Sequence, residues 1–126
     1  MAELVISEKS GSKDLAPIAL AANQILGLPV TMRSLEAPGV RVEKGKVLDE
    51  EYSGPILEEV MASGKATRTV PKSGVYGGVP VSVAPIMDRD GKVIAAMGVV
   101  DVVGTIDIPA VFGAYTEVVK EVSGKR

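Results

Sequence analysis

Gly78 to Val103, GVPVSVAPIMDRDGKVIAAMGVVDVV, reads as two long apolar strands joined by a tight turn at Arg89-Asp90-Gly91-Lys92. An Asp-Gly pair between β-rich runs is a strong short-range hairpin signal, because the turn needs a positive φ that glycine adopts without steric cost. A hairpin of this length makes a sheet-centred domain the expectation.

Outward from the hairpin, three segments share the grammar of helices. Asp14 reads as an N-cap with Pro17 in the first turn, Leu15, Ile18, Ala19, Ala22, Ile25 and Leu26 on one face, and Gly27 as terminator. Ser53 reads as the cap of a second helix, with Pro55 early, Ile56, Leu57, Val60 and Met61 on one face, and Gly64 past the end. Asp107 reads as the cap of a third, with Pro109 early, Val111, Ala114, Tyr115, Val118 and Val122 following, and Gly124 at the end. A capping oxygen satisfies orphan N–H groups, a first-turn proline loses no helical bond, and glycine takes the left-handed C-terminal position.

Strand signals lie between these helices. Val30 to Leu35 and Val40 to Glu43 flank a turn at Glu36-Ala37-Pro38-Gly39, and Lys44-Gly45-Lys46 turns into a short run at Val47-Leu48. Asp49-Glu50-Glu51 reads as a polar linker, and Ala66 to Val70 alternates in a β-branched pattern. Pro71 to Gly78, PKSGVYGG, reads as a loop, and Leu4-Val5-Ile6 as an added edge strand. The expected fold class is α+β: an antiparallel sheet of about five strands flanked by three helices, in one domain spanning 1–126.

Composition narrows the function classes. The 126 residues are 46% hydrophobic but only 3% aromatic, so aliphatic side chains must pack the core. Fourteen basic against sixteen acidic residues leave no basic stripe, which argues against nucleic acid as a partner. The chain contains neither Cys nor His, which removes disulfides, thiolate nucleophiles, imidazole bases and the usual zinc, copper and haem ligands. No apolar run approaches the roughly 20 residues of a membrane span, and the N-terminus does not resemble a signal peptide, so a cytoplasmic protein without membrane partners or cofactors is expected.

Catalytic motifs are absent. The nearest approach to a phosphate-binding loop, Gly39 with Gly45-Lys46, is one residue too long and has Val47 in place of the required hydroxyl. Without His or a base at recognisable spacing, Ser82 has no support as a nucleophile. Glu58-Glu59 suits the negative charge favoured at a helix start, and Asp88 and Asp90 suit a hairpin turn. The candidate binding residues are therefore few. Asp101 interrupts the apolar run Val99 to Val103, where an ionised carboxylate needs a cation or several donors, with Arg33, Arg41 and Arg68 as possible partners. It either binds backbone N–H groups where the strand emerges or faces a ligand. Arg68 is either an exposed strand residue or the bidentate captor of a carboxylate. The 71–78 loop is either a flexible connection or a lid and anion nest, with Gly77 and Gly78 in its turn and Lys72, Ser73 and Tyr76 supplying side-chain contacts.

Two resemblances extend this reading. Ile56 to Lys65 (ILEEVMASGK), Val83-Ala84-Pro85-Ile86 and Asp88 to Ala95 (DRDGKVIA) resemble segments of GAF sensor domains, and Val99-Val100-Asp101 resembles the closing strand of Cache domains. The resemblance implies a PAS/GAF-like (profilin-like) architecture and a ligand-sensing role. Ala95 or Ala96 stands where those domains usually carry glycine, and the aromatic and His positions that hold haem or flavin have no counterpart. The chain is also similar, through Leu28 to Ser34 (LPVTMRS), Glu43 to Val47 (EKGKV) and Val70 to Gly74 (VPKSG), to a small family of uncharacterised proteins from methanogenic archaea.

Three functions are compatible with these residues. One is a non-catalytic cytoplasmic domain that binds a small carboxylate-bearing metabolite between the sheet and the 71–78 loop, oriented by Arg68 and Asp101. The second is a roadblock-like scaffold that dimerises without a ligand. The third is an enzyme using Lys and carboxylate chemistry at an unrecognised spacing. A homodimer is expected, since a lone domain of this size has no output module of its own.

Overall fold

Runs of helical and period-two apolar spacing become eight elements in the computed structural model, which describes residues 3–102. In chain order these are α1 (Ser12–Leu26), β1 (Val30–Ser34), β2 (Gly39–Glu43), β3 (Lys46–Tyr52), α2 (Pro55–Ser63), β4 (Thr67–Thr69), β5 (Val81–Met87) and β6 (Val93–Val100). The strands form one antiparallel six-stranded sheet in the order β3-β2-β1-β6-β5-β4. The fold is α+β, as the spacing predicts, with one helix on each face of the sheet. The expected third helix, from Asp107 to Gly124, lies outside the described residues.

The hairpin that anchors the sequence reading sits at the middle of the sheet. β6 pairs with β5 on one side and β1 on the other, from Val30↔Val99 to Ser34↔Ala95. Its turn is closed by Asp88, whose N–H donates to the Lys92 carbonyl and whose Oδ1 accepts from the N–H groups of Asp90 and Lys92, both at 2.9 Å. Gly91 takes φ +82°, the left-handed conformation the Asp-Gly pair predicts.

Several expectations are corrected. The sheet has six strands rather than five because β3 runs through Asp49-Glu50-Glu51 instead of stopping at Leu48. As an edge strand it keeps one side in solvent, where carboxylates remain hydrated and discourage strand addition. Leu4-Val5-Ile6 forms no strand; Leu4 and Val5 are exposed, and the segment is tied down by Glu8. The Glu8 carbonyl accepts from the Glu36 N–H, and its carboxylate pairs with Lys92 at 2.8 Å.

The helix starts differ as well. α1 begins at Ser12 behind Gly11, so Asp14 is the third helical residue and reaches back to accept from the Gly11 N–H at 3.3 Å. Pro17 consequently lies in the second turn rather than the first. Gly54, not Ser53, precedes α2; Ser53 instead donates to Glu58 at 2.6 Å and accepts from Arg33 at 2.9 Å. Both helices end on a left-handed glycine, Gly27 and Gly64, as expected.

The two helices cover different halves of the sheet. Leu15 and Ala19 of α1 pack on Val30, Met32, Val40 and Val42, all fully buried. Leu57, Val60 and Met61 of α2 pack on Val81, Val83, Ala96 and Val100 from the opposite face. Each such aliphatic side chain contributes about 1.5–3 kcal/mol by leaving water, so these two clusters stabilise the fold more than any surface pair does. Ile25 and Leu26 do not join the α1 cluster; they are 82% and 49% exposed at the helix end. Close approach governs one strand start: a Cβ on Gly39 would lie 1.8 Å from the Met32 carbonyl oxygen.

Candidate functional site

Period-two alternation puts Arg41 and Thr31 on the face opposite Val40, Val42, Val30 and Met32. Register then sets them in one row across the sheet: Arg41 pairs with Thr31, Thr31 with Gly98, Gly98 with Val83, and Val83 with Thr67. α2 covers the β5–β6 end of this row, and the 71–78 loop reaches over toward β2. Between them a crevice remains, floored by Thr31, Val83 and Gly98 and walled by Tyr52, Leu57, Pro71, Ser73 and Tyr76. Gly98 keeps the floor open, since a Cβ there would meet Thr31 Oγ1 at 2.9 Å and Val83 Cγ2 at 3.1 Å. The crevice volume is about 30 Å³, room for a water or two.

Tyr76 joins the loop to the sheet. Its ring is buried, and its hydroxyl donates to Glu43 Oε2 at 2.5 Å. Arg41 Nη1 donates to the same oxygen at 3.0 Å, and the guanidinium carbon stands 6.0 Å from the Tyr76 ring centroid, within cation–π range. Among the described residues, Arg41 Nε is buried without a hydrogen-bond partner. Burial pushes the Tyr76 phenol well above its ordinary pKa, reinforced by its bond to Glu43 and opposed by Arg41. Tyr76 is therefore a hydrogen-bond donor at neutral pH and has no capacity as a base. The Tyr52 phenol is also raised by burial, with Arg41 opposing. The Arg41 guanidinium is raised chiefly by its hydrogen bond with Tyr76, against the effect of burial.

The loop makes most of its bonds to itself. The Gly77 N–H donates to the Gly74 carbonyl at 3.1 Å, and the Gly78 N–H to the Pro71 carbonyl at 2.8 Å. Those two N–H groups are thus occupied within the turn, whereas an anion nest would need them free.

Of the residues nominated from sequence, Ser73 and Tyr76 line the crevice. Lys72, Gly77 and Gly78 are exposed on the outer side of the loop. Arg68 is exposed at the centre of the edge strand β4 and is not part of the crevice wall. Asp101 is only 3% exposed and lies one residue beyond β6, its N–H donating to the Pro80 carbonyl at 2.8 Å; it too stands outside the crevice wall. Arg33 directs its guanidinium to the carbonyls of Ser34 and Leu35 and to Ser53 Oγ, with Glu58 at 3.6 Å.

Sequence reasoning missed Glu43 and Thr31 as site residues and treated Arg41 only as a possible partner of Asp101. A signal was present: in GVRVE, charges of opposite sign two residues apart share one face of an apolar strand. A wider hollow of about 480 Å³ lies between the end of α1 and the β2–β3 turn, walled in part by Val102, the last described residue. Among the described residues no group of three carboxylates is placed to hold a metal ion, and no helix is long and apolar enough to cross a membrane.

Comparison with known proteins places the chain among archaeal relatives. It is 47% identical over 111 residues to the uncharacterized protein MJ0405 of Methanocaldococcus jannaschii, covering 86% of this chain and 84% of that one. The family model described as an uncharacterized protein conserved in archaea, DUF2111, matches residues 22–103. That span holds every strand of the sheet, α2 and the whole crevice, and the chain belongs to this archaeal family, DUF2111.

Proposed function

We propose that the domain is a non-catalytic, cytoplasmic small-ligand-binding or sensory module whose ligand enters between the sheet and the 71–78 loop. The observation that carries this reading is the crevice itself, covered by a loop that Tyr76 ties to the sheet through its hydrogen bond to Glu43. Ligand pockets ordinarily measure some hundreds of Å³. With only about 30 Å³ in the crevice, a metabolite enters only when the loop moves, so occupancy and loop position are coupled. A change in loop position is what a homodimer or partner protein would read. The central hairpin with a helix on each face supports placing the domain among PAS/GAF-like architectures. Arg68 has no part in this reading, because it stands on an edge strand away from the crevice.

The small crevice volume also favours a second reading, a roadblock-like dimerising scaffold, with the exposed Ile25 and Leu26 as candidate apolar contacts. Native mass spectrometry of freshly purified protein, run beside a denatured sample, separates the two. A retained small molecule that disappears on denaturation is the expected result. A clean dimer without added mass, unchanged in melting temperature across a metabolite set, would replace the sensor reading with the scaffold.

A further inference from the structure

We infer that the buried Tyr76 ring occupies a site fitted to a small flat ring bearing an O–H or N–H donor, so that Tyr76 is the chain's own stand-in for such a ligand. This rests on the sensor reading above and deepens it by naming the ligand's chemistry. Each part of the Tyr76 side chain meets a group suited to bind it. Its hydroxyl meets a carboxylate acceptor, Glu43 Oε2, at 2.5 Å. Its ring lies 6.0 Å from the Arg41 guanidinium carbon, the arrangement in which a cation attracts a π-face. Its inner side belongs to the apolar cluster of Leu57, Val81 and Val83.

Each of those groups is anchored on an element outside the loop. Glu43 and Arg41 are on β2, Val81 and Val83 on β5, and Leu57 on α2, so the receptor surface persists when the loop lifts. Three glycines give the loop backbone freedom: Gly74 in its middle and Gly78 at its end both take φ +86°, and Gly77 lies between them. A lifted Tyr76 vacates the volume of a phenol ring beside the existing void. Charge selects the occupant further. Arg41 and Glu43 already neutralise one another at 3.0 Å, so the vacated site favours a neutral donor over a second carboxylate.

The test uses p-cresol, which is the tyrosine side chain without its backbone, titrated into 15N-labelled protein. Tyr76→Ala is expected to bind it saturably with shifts at the Thr31, Glu43 and Gly98 amides and a raised melting temperature. Toluene, lacking the donor, is expected to bind at least about tenfold more weakly, the difference made by a hydrogen bond to a charged acceptor. Folded Tyr76→Ala that shows no saturable shift, or that binds toluene and p-cresol alike, overturns the inference. Should Tyr76→Ala fail to fold, Tyr76→Phe keeps the ring and loses only the bond to Glu43. It is then expected to admit p-cresol about tenfold more readily than the wild type, and equal affinities overturn the inference. Native mass spectrometry judges the sensor reading independently: a retained metabolite without p-cresol binding refutes only the phenol-like site, and p-cresol binding without any metabolite refutes only the sensor.

Discussion

At the scale of single residues, Lys44 holds a strained position in one turn and Asn23 a buried position that secures it. Lys44 adopts φ +52° and Gly45 φ +77°, both left-handed, in the two-residue turn between the paired residues Glu43 and Lys46. That is the pattern of the hairpin turn for which Asn-Gly is preferred, since a side chain with Cβ costs about 1 kcal/mol there and Asn offsets part of it. Lys44→Asn is expected to raise stability by about 0.5–1 kcal/mol, read as a higher urea midpoint at unchanged slope. A midpoint equal to or below the wild type would show that the turn is not limited by this strain. Asn23 secures the same turn from the far side of the chain. Its Oδ1 accepts from the Gly45 N–H at 2.8 Å, and its Nδ2 donates to the Leu28 carbonyl at 2.7 Å. Composition and periodicity mark Lys44-Gly45 as a turn, yet they are silent on Asn23, because its partner lies 22 residues away.

At the scale of elements, helix ends and strand ends follow local chemistry only in part. α1 starts two residues before Asp14, which leaves Pro17 where an N–H would have bonded the Lys13 carbonyl. Pro17 is exposed, so its replacement removes no packing. Pro17→Ala is expected to stabilise the protein by about 1–2 kcal/mol and to raise the melting temperature followed by circular dichroism at helical wavelengths. No gain would place the helix start after Pro17. β3 shows the converse: its acidic run resembles a linker and becomes a strand because β2 offers a free edge, from Gly39↔Tyr52 to Glu43↔Lys46. Pro85 within β5 is tolerated because β4 pairs only with Val81 to Val83 and ends before reaching it.

At the scale of the whole molecule, the site's buried phenols tie fold stability to pH. Tyr76 and Tyr52 both hold their protons above the ordinary phenol value of about 10, chiefly through burial. As pH rises through that value the unfolded chain releases these protons first, so their contribution is full below about pH 10 and declines above it. Tyr76→Phe is expected to make the alkaline decline shallower than in the wild type, measured as unfolding free energy against pH; parallel curves would mean that Tyr76 is not buried as a neutral phenol. The hairpin around Gly91, the two glycine-terminated helices and the exclusion of thiol and imidazole chemistry are readable from the chain because they depend on neighbours within a few residues. The grouping of Thr31, Arg41, Glu43, Tyr76 and Gly98 is not. Strand order and register bring Thr31, Arg41, Glu43 and Gly98 to one face, the loop adds Tyr76, and sequence periodicity tells which face a residue takes without telling which strand lies beside it. Local physics thus determines the elements and their faces, while the crevice and its aromatic occupant exist only once the sheet has closed around β6.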